Sequence, residues 1–205
     1  MSQRAWLDKL ERSFGEWALP TPSLYLVGMN AAVWVLTLIK PEFPMRLALD
    51  PELVMSGEVW RLLTFLFIPP HLSPMWMVFW LLMFYSFANA LEGEWGEFKF
   101  AVYYAVGAGA TVAASAALGT GLSSLPLNTS LFLAFARLFP EVELYLFFVL
   151  PVKVRWLAWA AWGVFALNFL LGSWVTRVAL LAGVANWAVF FGREALDDLK
   201  RLRRP

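Results

Sequence analysis

The sequence predicts an all-α fold: a polytopic six-helix transmembrane bundle with an N-terminal interfacial amphipathic helix. Three observations predict it. Sixty per cent of the 205 residues are apolar and only 15% are charged, whereas soluble domains run nearer 25% charged. The mean hydropathy is +0.64. The apolar residues also gather into runs, most of them near the roughly 17–25 residues a helix needs to cross a bilayer.

Composition closes several function classes. The chain has no cysteine, which excludes disulfides, thiolate metal sites and cysteine nucleophiles. A single histidine leaves too few ligands for zinc, so no metal and no cofactor is expected. A net charge of +1 gives no basic footprint for nucleic acid. The length allows one membrane domain and no soluble one. The charged, amphipathic N-terminus lacks the short apolar core of a cleavable signal peptide.

Residues 1–20 read as the amphipathic helix. Trp6, Leu10, Phe14 and Trp17 share a stripe, with Arg4, Asp8, Lys9, Glu11 and Arg12 elsewhere. Such a helix lies in a membrane interface, and Pro20 and Pro22 end it. The first span is 23–39. A proline-punctuated connection, 40–74, is too long for a simple turn. The second span is 75–91, ending at Glu92, and the third is 98–118. The third carries Gly109, Ala113, Ala117 and Gly121 four apart, a small-residue ridge read as close helix packing. The fourth, about 127–139, is short and holds Asn128, Thr129, Ser130 and Arg137. That polar load places it inside the bundle. The fifth is about 155–171 and the sixth 175–192. A basic tail, 193–205, sets topology or binds anionic lipid. The membrane domain is thus 23–192.

Lys and Arg set the orientation. With a cytoplasmic N-terminus, inside segments hold twelve of them: Arg4, Lys9, Arg12, Lys99, Arg137, Lys153, Arg155, Arg193, Lys200, Arg201, Arg203 and Arg204. Outside segments hold four: Lys40, Arg46, Arg61 and Arg177. Both termini are therefore expected in the cytoplasm of a bacterial cell, the bundle being an integral protein of its inner (plasma) membrane.

The order of the motifs adds a resemblance. GEVWRLLTFLF (57–67) lies in the first connection and LEGEWG (91–96) ends the second span. NTSLFLAFARLFP (128–140) and LYLFFVLPVKVRWLAW (144–159) follow, then LLAGVANWAVFFG (180–192). Over residues 23–192 this resembles the rhomboid superfamily. Trp60-Arg61 and the L-E-x-x-x-G pattern of Leu91, Glu92 and Gly96 carry most of the likeness. Derlins, non-proteolytic relatives, also have a Trp-Arg pair in that loop.

Active rhomboids are intramembrane serine proteases, and the resemblance implies where their site would fall. The family nucleophile lies in G-x-S-G at the start of the fourth span. Alignment on Phe139-Pro140 puts Leu125 there, in SSLPLNTS, and no G-x-S-G occurs in the chain. The family base is a histidine in the sixth span. Alignment on Ala182-Gly183 puts Leu180 there. The oxyanion pattern H-x-x-x-x-H-x-x-x-N falls on HLSPMWMVFW, with His71 first, then Trp76 and Trp80. Tryptophan has one indole N–H, but its bulk would fill the pocket. Losing one oxyanion donor costs about 10²–10³ in rate. Both indoles are expected to be buried against the fourth and sixth spans.

The single residues read in two ways. His71 is a catalytic base or an interfacial residue at the mouth of the second span. Ser130 is a nucleophile, or a helix hydroxyl bonded back to a carbonyl. Lys153 could serve a Ser-Lys dyad, but its place beside Arg155 puts it at the cytoplasmic surface, away from a rhomboid site. Trp60-Arg61 is an aromatic-belt anchor with a snorkelling cation, or the family's loop tether, with Glu92 bonding into that loop. Asn168 and Arg177 are satisfied structurally or meet a client. The expectation is a pseudoprotease without catalytic residues that holds transmembrane segments of client proteins and contacts membrane lipids. An atypical active rhomboid protease is the alternative. A small transporter or lipid-handling protein is a third class, against which stands the absence from the sequence of paired carboxylates or broken helices with inverted repeats.

Overall fold

In hydrocarbon every backbone N–H and C=O must find a partner within the chain, so apolar runs become helices. The computed structural model describes residues 5–15, 19–146 and 150–202. Its helices are α1 (Ala5–Phe14), α2 (Pro22–Ile39), α3 (Phe43–Leu47), α4 (Pro51–Met55), α5 (Arg61–Thr64), α6 (Pro74–Trp95) and α7 (Glu97–Leu118). Then come α8 (Leu125–Leu138), α9 (Val154–Leu171), α10 (Trp174–Gly183) and α11 (Ala185–Leu202). Proline opens α2, α4 and α6, where its fixed φ suits a first turn that needs no N–H partner.

Four helices, α2, α6, α7 and α9, are long and apolar enough to cross a membrane, and five spans result if the bent pair α10–α11 counts as one. This is consistent with an integral membrane protein. α8 has 14 residues, or about 21 Å of rise, short of a ~30 Å hydrocarbon core. It sits inside, as its polar load requires: Leu127, Asn128, Ser130, Leu131 and Leu133 are all buried. α6, α7, α9 and α10 pack around it. Outward faces carry Leu24, Leu38, Val78, Leu82, Val164 and Leu167, all exposed, as lipid contact requires.

Three expectations need correction. The sixth span was read as continuous over 175–192, but α10 and α11 meet at a 66° bend. Asn186 Oδ1 accepts the Trp187 backbone N–H at 2.9 Å, so a side chain competes with the helical ladder where the new helix begins. Second, a strand pair, β1 (Glu143–Leu146) and β2 (Leu150–Lys153), interrupts the all-α pattern, with Glu143 opposite Lys153. Pro151 disfavours helix there. Third, the ridge on α7 does not pack. Gly109, Ala113 and Ala117 are exposed, and of the two ridge glycines only Gly121 meets another segment, at the Leu49 carbonyl. Close approach is made instead by Gly107, against Leu127 and Asn186, and by Gly183 against Pro126 and Leu127.

α1 covers only part of the expected 1–20 helix; residues 1–4 and 16–18 lie outside the described residues, as do 203–205 of the tail and the side chain of Trp6. Leu7 is buried against the bundle while Leu10 and Phe14 are exposed. Lys99 on α7 reaches Asp8 at 2.8 Å and Glu11 at 3.1 Å. The helix is therefore docked by one leucine and one bridged lysine, and its remaining apolar stripe faces outward, where a membrane interface would take it.

Gly183 supplies a direct test of this packing. A Cβ there would lie 2.9 Å from the Pro126 carbonyl carbon and 3.0 Å from the Leu127 nitrogen. Backbone cannot step aside as a side-chain tip can. Gly183→Leu should destabilise the detergent-solubilised protein by about 3 kcal/mol or more, read as a large fall in melting temperature. Gly109→Leu, with nothing near it, should change the melting temperature little. Equal effects would show that α10 does not touch the start of α8.

Candidate functional site

Leu125 and Pro126 begin α8, and Leu125 is 51% exposed. Ser130 follows one turn later and is fully buried. Its hydroxyl donates to the Leu127 carbonyl at 2.7 Å. The Tyr103 hydroxyl donates to the Ser130 carbonyl at 2.8 Å and lies 3.3 Å from Ser130 Oγ. On the next residue of α7, the Tyr104 hydroxyl donates to Asn128 Oδ1 at 2.8 Å. Neither partner of the Ser130 hydroxyl is a base, and a serine without one is a weak nucleophile.

The other bases stand apart from it in the chain's organisation. His71 is exposed in the connection before α6. The Lys153 ammonium donates to Glu141 at 2.7 Å in the segment that follows α8. That hydrogen bond, chiefly, holds the Glu141 carboxyl below the usual carboxylate range. Leu180 is half-buried on α10, one turn before Gly183. The contact of Gly183 with Pro126 brings the α10 segment that carries Leu180 to the start of α8 that carries Leu125, two apolar side chains with no proton to exchange.

A cleft of about 220 Å³ opens between α6 and α8. Trp80, Phe84 and Phe87 line it from α6, and Leu125, Asn128 and Thr129 from α8. The Trp80 ring stacks on Phe84 with centroids 4.7 Å apart, and Trp80 is half-buried. Trp76 departs from expectation: it is 43% exposed and meets Phe79 edge-on. It stands in the first turn of α6, the end of a span, where an indole gains from the membrane–water boundary. Only one of the two tryptophans therefore walls the cleft. Asn128 spends its oxygen on Tyr104, and its amide nitrogen still carries two donors.

The Trp60-Arg61 pair divides its labour. Trp60 is 51% exposed while Arg61 is buried at 5%. Arg61 Nε donates to Glu58 at 2.7 Å, and Nη1 donates to the Met45 and Ala48 carbonyls at 2.8 Å each. One guanidinium thus ties α3 to the turn before α5, and Thr64 adds a bond to the Leu47 carbonyl at 2.9 Å.

Glu92 does not bond into that loop, as had been expected. It accepts from the Ser23 backbone N–H at 2.8 Å, and Glu97 accepts from Thr21 N–H at 3.0 Å. The reason lies in the first turn of α2. Its cap residue Thr21 is left-handed (φ 46°) and gives no side-chain cap, so two carboxylates from the α6–α7 junction take the free N–H groups and the positive end of the dipole. Gly96, at φ 84°, makes that junction; a side chain there would be strained.

Sequence reasoning missed Tyr103, Tyr104, Asn30 and Asn186. Asn30 is fully buried on α2 and donates to the Leu26 carbonyl at 2.9 Å. Polar residues inside apolar runs were the available signal. It was applied to Asn168 and Arg177, whose side chains bond to backbone carbonyls. Asn168 bonds back to the Val164 carbonyl, and Arg177 caps α9 through the Phe169 and Leu170 carbonyls at 2.8 and 3.0 Å.

Arg61 and Trp60 separate by mutation. Arg61→Ala leaves two part-buried carbonyls and Glu58 without their donor, at a cost of about 1–3 kcal/mol. Arg61→Lys should recover little, since an ammonium lacks the fork that serves three acceptors. Trp60→Ala should stay within about 1 kcal/mol in detergent. A lysine variant that melts like the parent would show that charge, not geometry, holds the loop.

Compared with known families and with curated proteins, the chain matches no family model and no curated protein.

Proposed function

We propose that the chain is a rhomboid-like, six-span membrane pseudoprotease that holds transmembrane segments of client proteins. The observation that carries this reading is the cleft between α6 and α8. It lies at the place the resemblance assigns to proteolysis, yet its walls are apolar and aromatic with Asn128 and Thr129 between them. Such a cleft suits a helix side. Apolar client residues meet Trp80, Phe84 and Phe87, and a polar client residue meets the Asn128 amide. An interhelical hydrogen bond in a membrane is worth about 0.6–2 kcal/mol, enough to select polar segments without trapping them.

In this reading α8 counts as the fourth span. Buried within the bundle, it need not match the lipid thickness, because its ends are carried to the surface by neighbouring loops. The Lys and Arg distribution then sets both termini in the cytoplasm and the bundle in the inner (plasma) membrane. The dyad positions are Leu125 and Leu180, and Ser130 spends its hydroxyl on Leu127. Nothing in this arrangement activates a nucleophile.

A photo-crosslinking residue placed at Thr129 should capture membrane proteins in native membranes, and the same residue at Leu167, on the exposed face of α9, should not. Equal capture from both positions would sink the client reading. A fluorophosphonate probe should leave the purified protein unlabelled; labelling abolished by Ser130→Ala would establish the protease instead. Installing the dyad with Leu125→Ser and Leu180→His should give no cleavage of a rhomboid substrate. Pro126 offers no N–H to an oxyanion, and Trp80 still walls the cleft. Turnover in that double variant would mean that the pocket was intact.

A further inference from the structure

A second concavity lies on the other side of α8. It measures about 610 Å³ and runs between α8, α9 and α11. Its walls are Leu133 and Ala136 from α8, Ala158, Trp162 and Ala166 from α9, and Trp187 from α11. Arg137 and Arg155 stand at one end. From Arg155 to Ala166 the helix rises about 16 Å, close to half of a ~30 Å hydrocarbon core. The groove thus reaches from the surface to about mid-membrane, the depth of one leaflet.

We propose that this groove binds one anionic phospholipid, with an acyl chain along α9 and the phosphate at Arg137 and Arg155. Charge complementarity selects that occupant. Arg137 and Arg155 line that end of the groove, and none of the groove's lining residues is a carboxylate, the sign a headgroup phosphate requires. Glu141 already bridges Lys153 and Arg155 at 2.7 and 2.8 Å, which fixes the Arg155 guanidinium at the mouth. Arginine presents parallel N–H groups that match phosphate oxygens. Below them the wall is alanine, leucine and indole, a surface that an acyl chain covers without leaving any backbone polar group of its own unpaired. Trp159, 72% exposed, borders the opening toward lipid.

Native mass spectrometry of the purified full-length chain tests this, with dioleoylphosphatidylglycerol, dioleoylphosphatidylcholine and glycerol 3-phosphate as probes. Two guanidiniums near a headgroup, at about 1 kcal/mol each, should favour phosphatidylglycerol over phosphatidylcholine roughly thirtyfold. Arg137→Gln with Arg155→Gln should abolish that preference. Ala166→Phe keeps every charge and blocks the deep end. It should weaken dioleoylphosphatidylglycerol and leave dihexanoylphosphatidylglycerol unchanged. The lipid-free melting temperature of each variant reports folding separately. Equal retention of the two diacyl lipids overturns the proposal. So does competition by glycerol 3-phosphate as strong as by phosphatidylglycerol, which would mean a free-phosphate site, and so does an Ala166→Phe variant that binds the long-chain lipid undiminished.

Discussion

Two tyrosine hydroxyls hold the centre of this molecule. Tyr103 and Tyr104 are consecutive on α7, and they donate to the Ser130 carbonyl and the Asn128 side chain of α8. Inside a low-dielectric bundle an unpaired polar group costs more than a bond gains. α8, with its run of polar residues, therefore has to sit where partners exist. Once it does, its neighbours are constrained. α7 must approach closely, and Gly107 permits it; α10 must meet the first turn of α8, and Gly183 permits that. Placing α8 at the centre also removes its need to match the bilayer, which is why 14 residues suffice.

The two ends of the bundle are closed by charged side chains that bond to backbone. At one end Arg61 gathers two carbonyls of the 40–73 connection. At the other, Glu92 and Glu97 take the first N–H groups of α2. Both devices solve the same problem. Short helices and tight junctions leave orphan backbone groups, and a guanidinium or carboxylate satisfies several at once with charge-assisted bonds.

Hydropathy made the helices legible: 98–118 became Glu97–Leu118, and 155–171 became Val154–Leu171. The burial of α8 was legible too, because Asn128 and Ser130 cannot face lipid. The bend after Gly183 was not: there the Trp187 N–H bonds to Asn186 Oδ1, and hydropathy carries no information on side-chain direction. The small-residue ridge misled for a related reason. Spacing identifies a face of α7 but not the neighbour it meets; Gly107, off the ridge, makes the contact. Glu92 was visible as a motif, yet its partner was assigned to the wrong end of the bundle, because the left-handed cap at Thr21 has no signature in sequence. At the candidate site, the identities of Leu125, Leu180 and Trp80 were readable, while the outward turn of Trp76 depended on where α6 begins relative to its neighbours.

Along α8 the kind of polarity changes with depth. Asn128, Thr129 and Ser130 are uncharged, and each has an oxygen in a hydrogen bond within the bundle. Arg137, the only charge on the helix, comes in its last turn and is exposed, where a cation also favours the helix dipole. Neutral amides and hydroxyls are tolerated inside a membrane domain when bonded, whereas a guanidinium is costly away from the interface. The two concavities that α8 borders inherit this order. The one toward α6 draws on the first half of the helix and offers neutral groups. The one toward α9 draws on the second half and ends in two guanidiniums. A single helix, fixed by two hydroxyls, thus presents to its two sides chemistries suited to different depths.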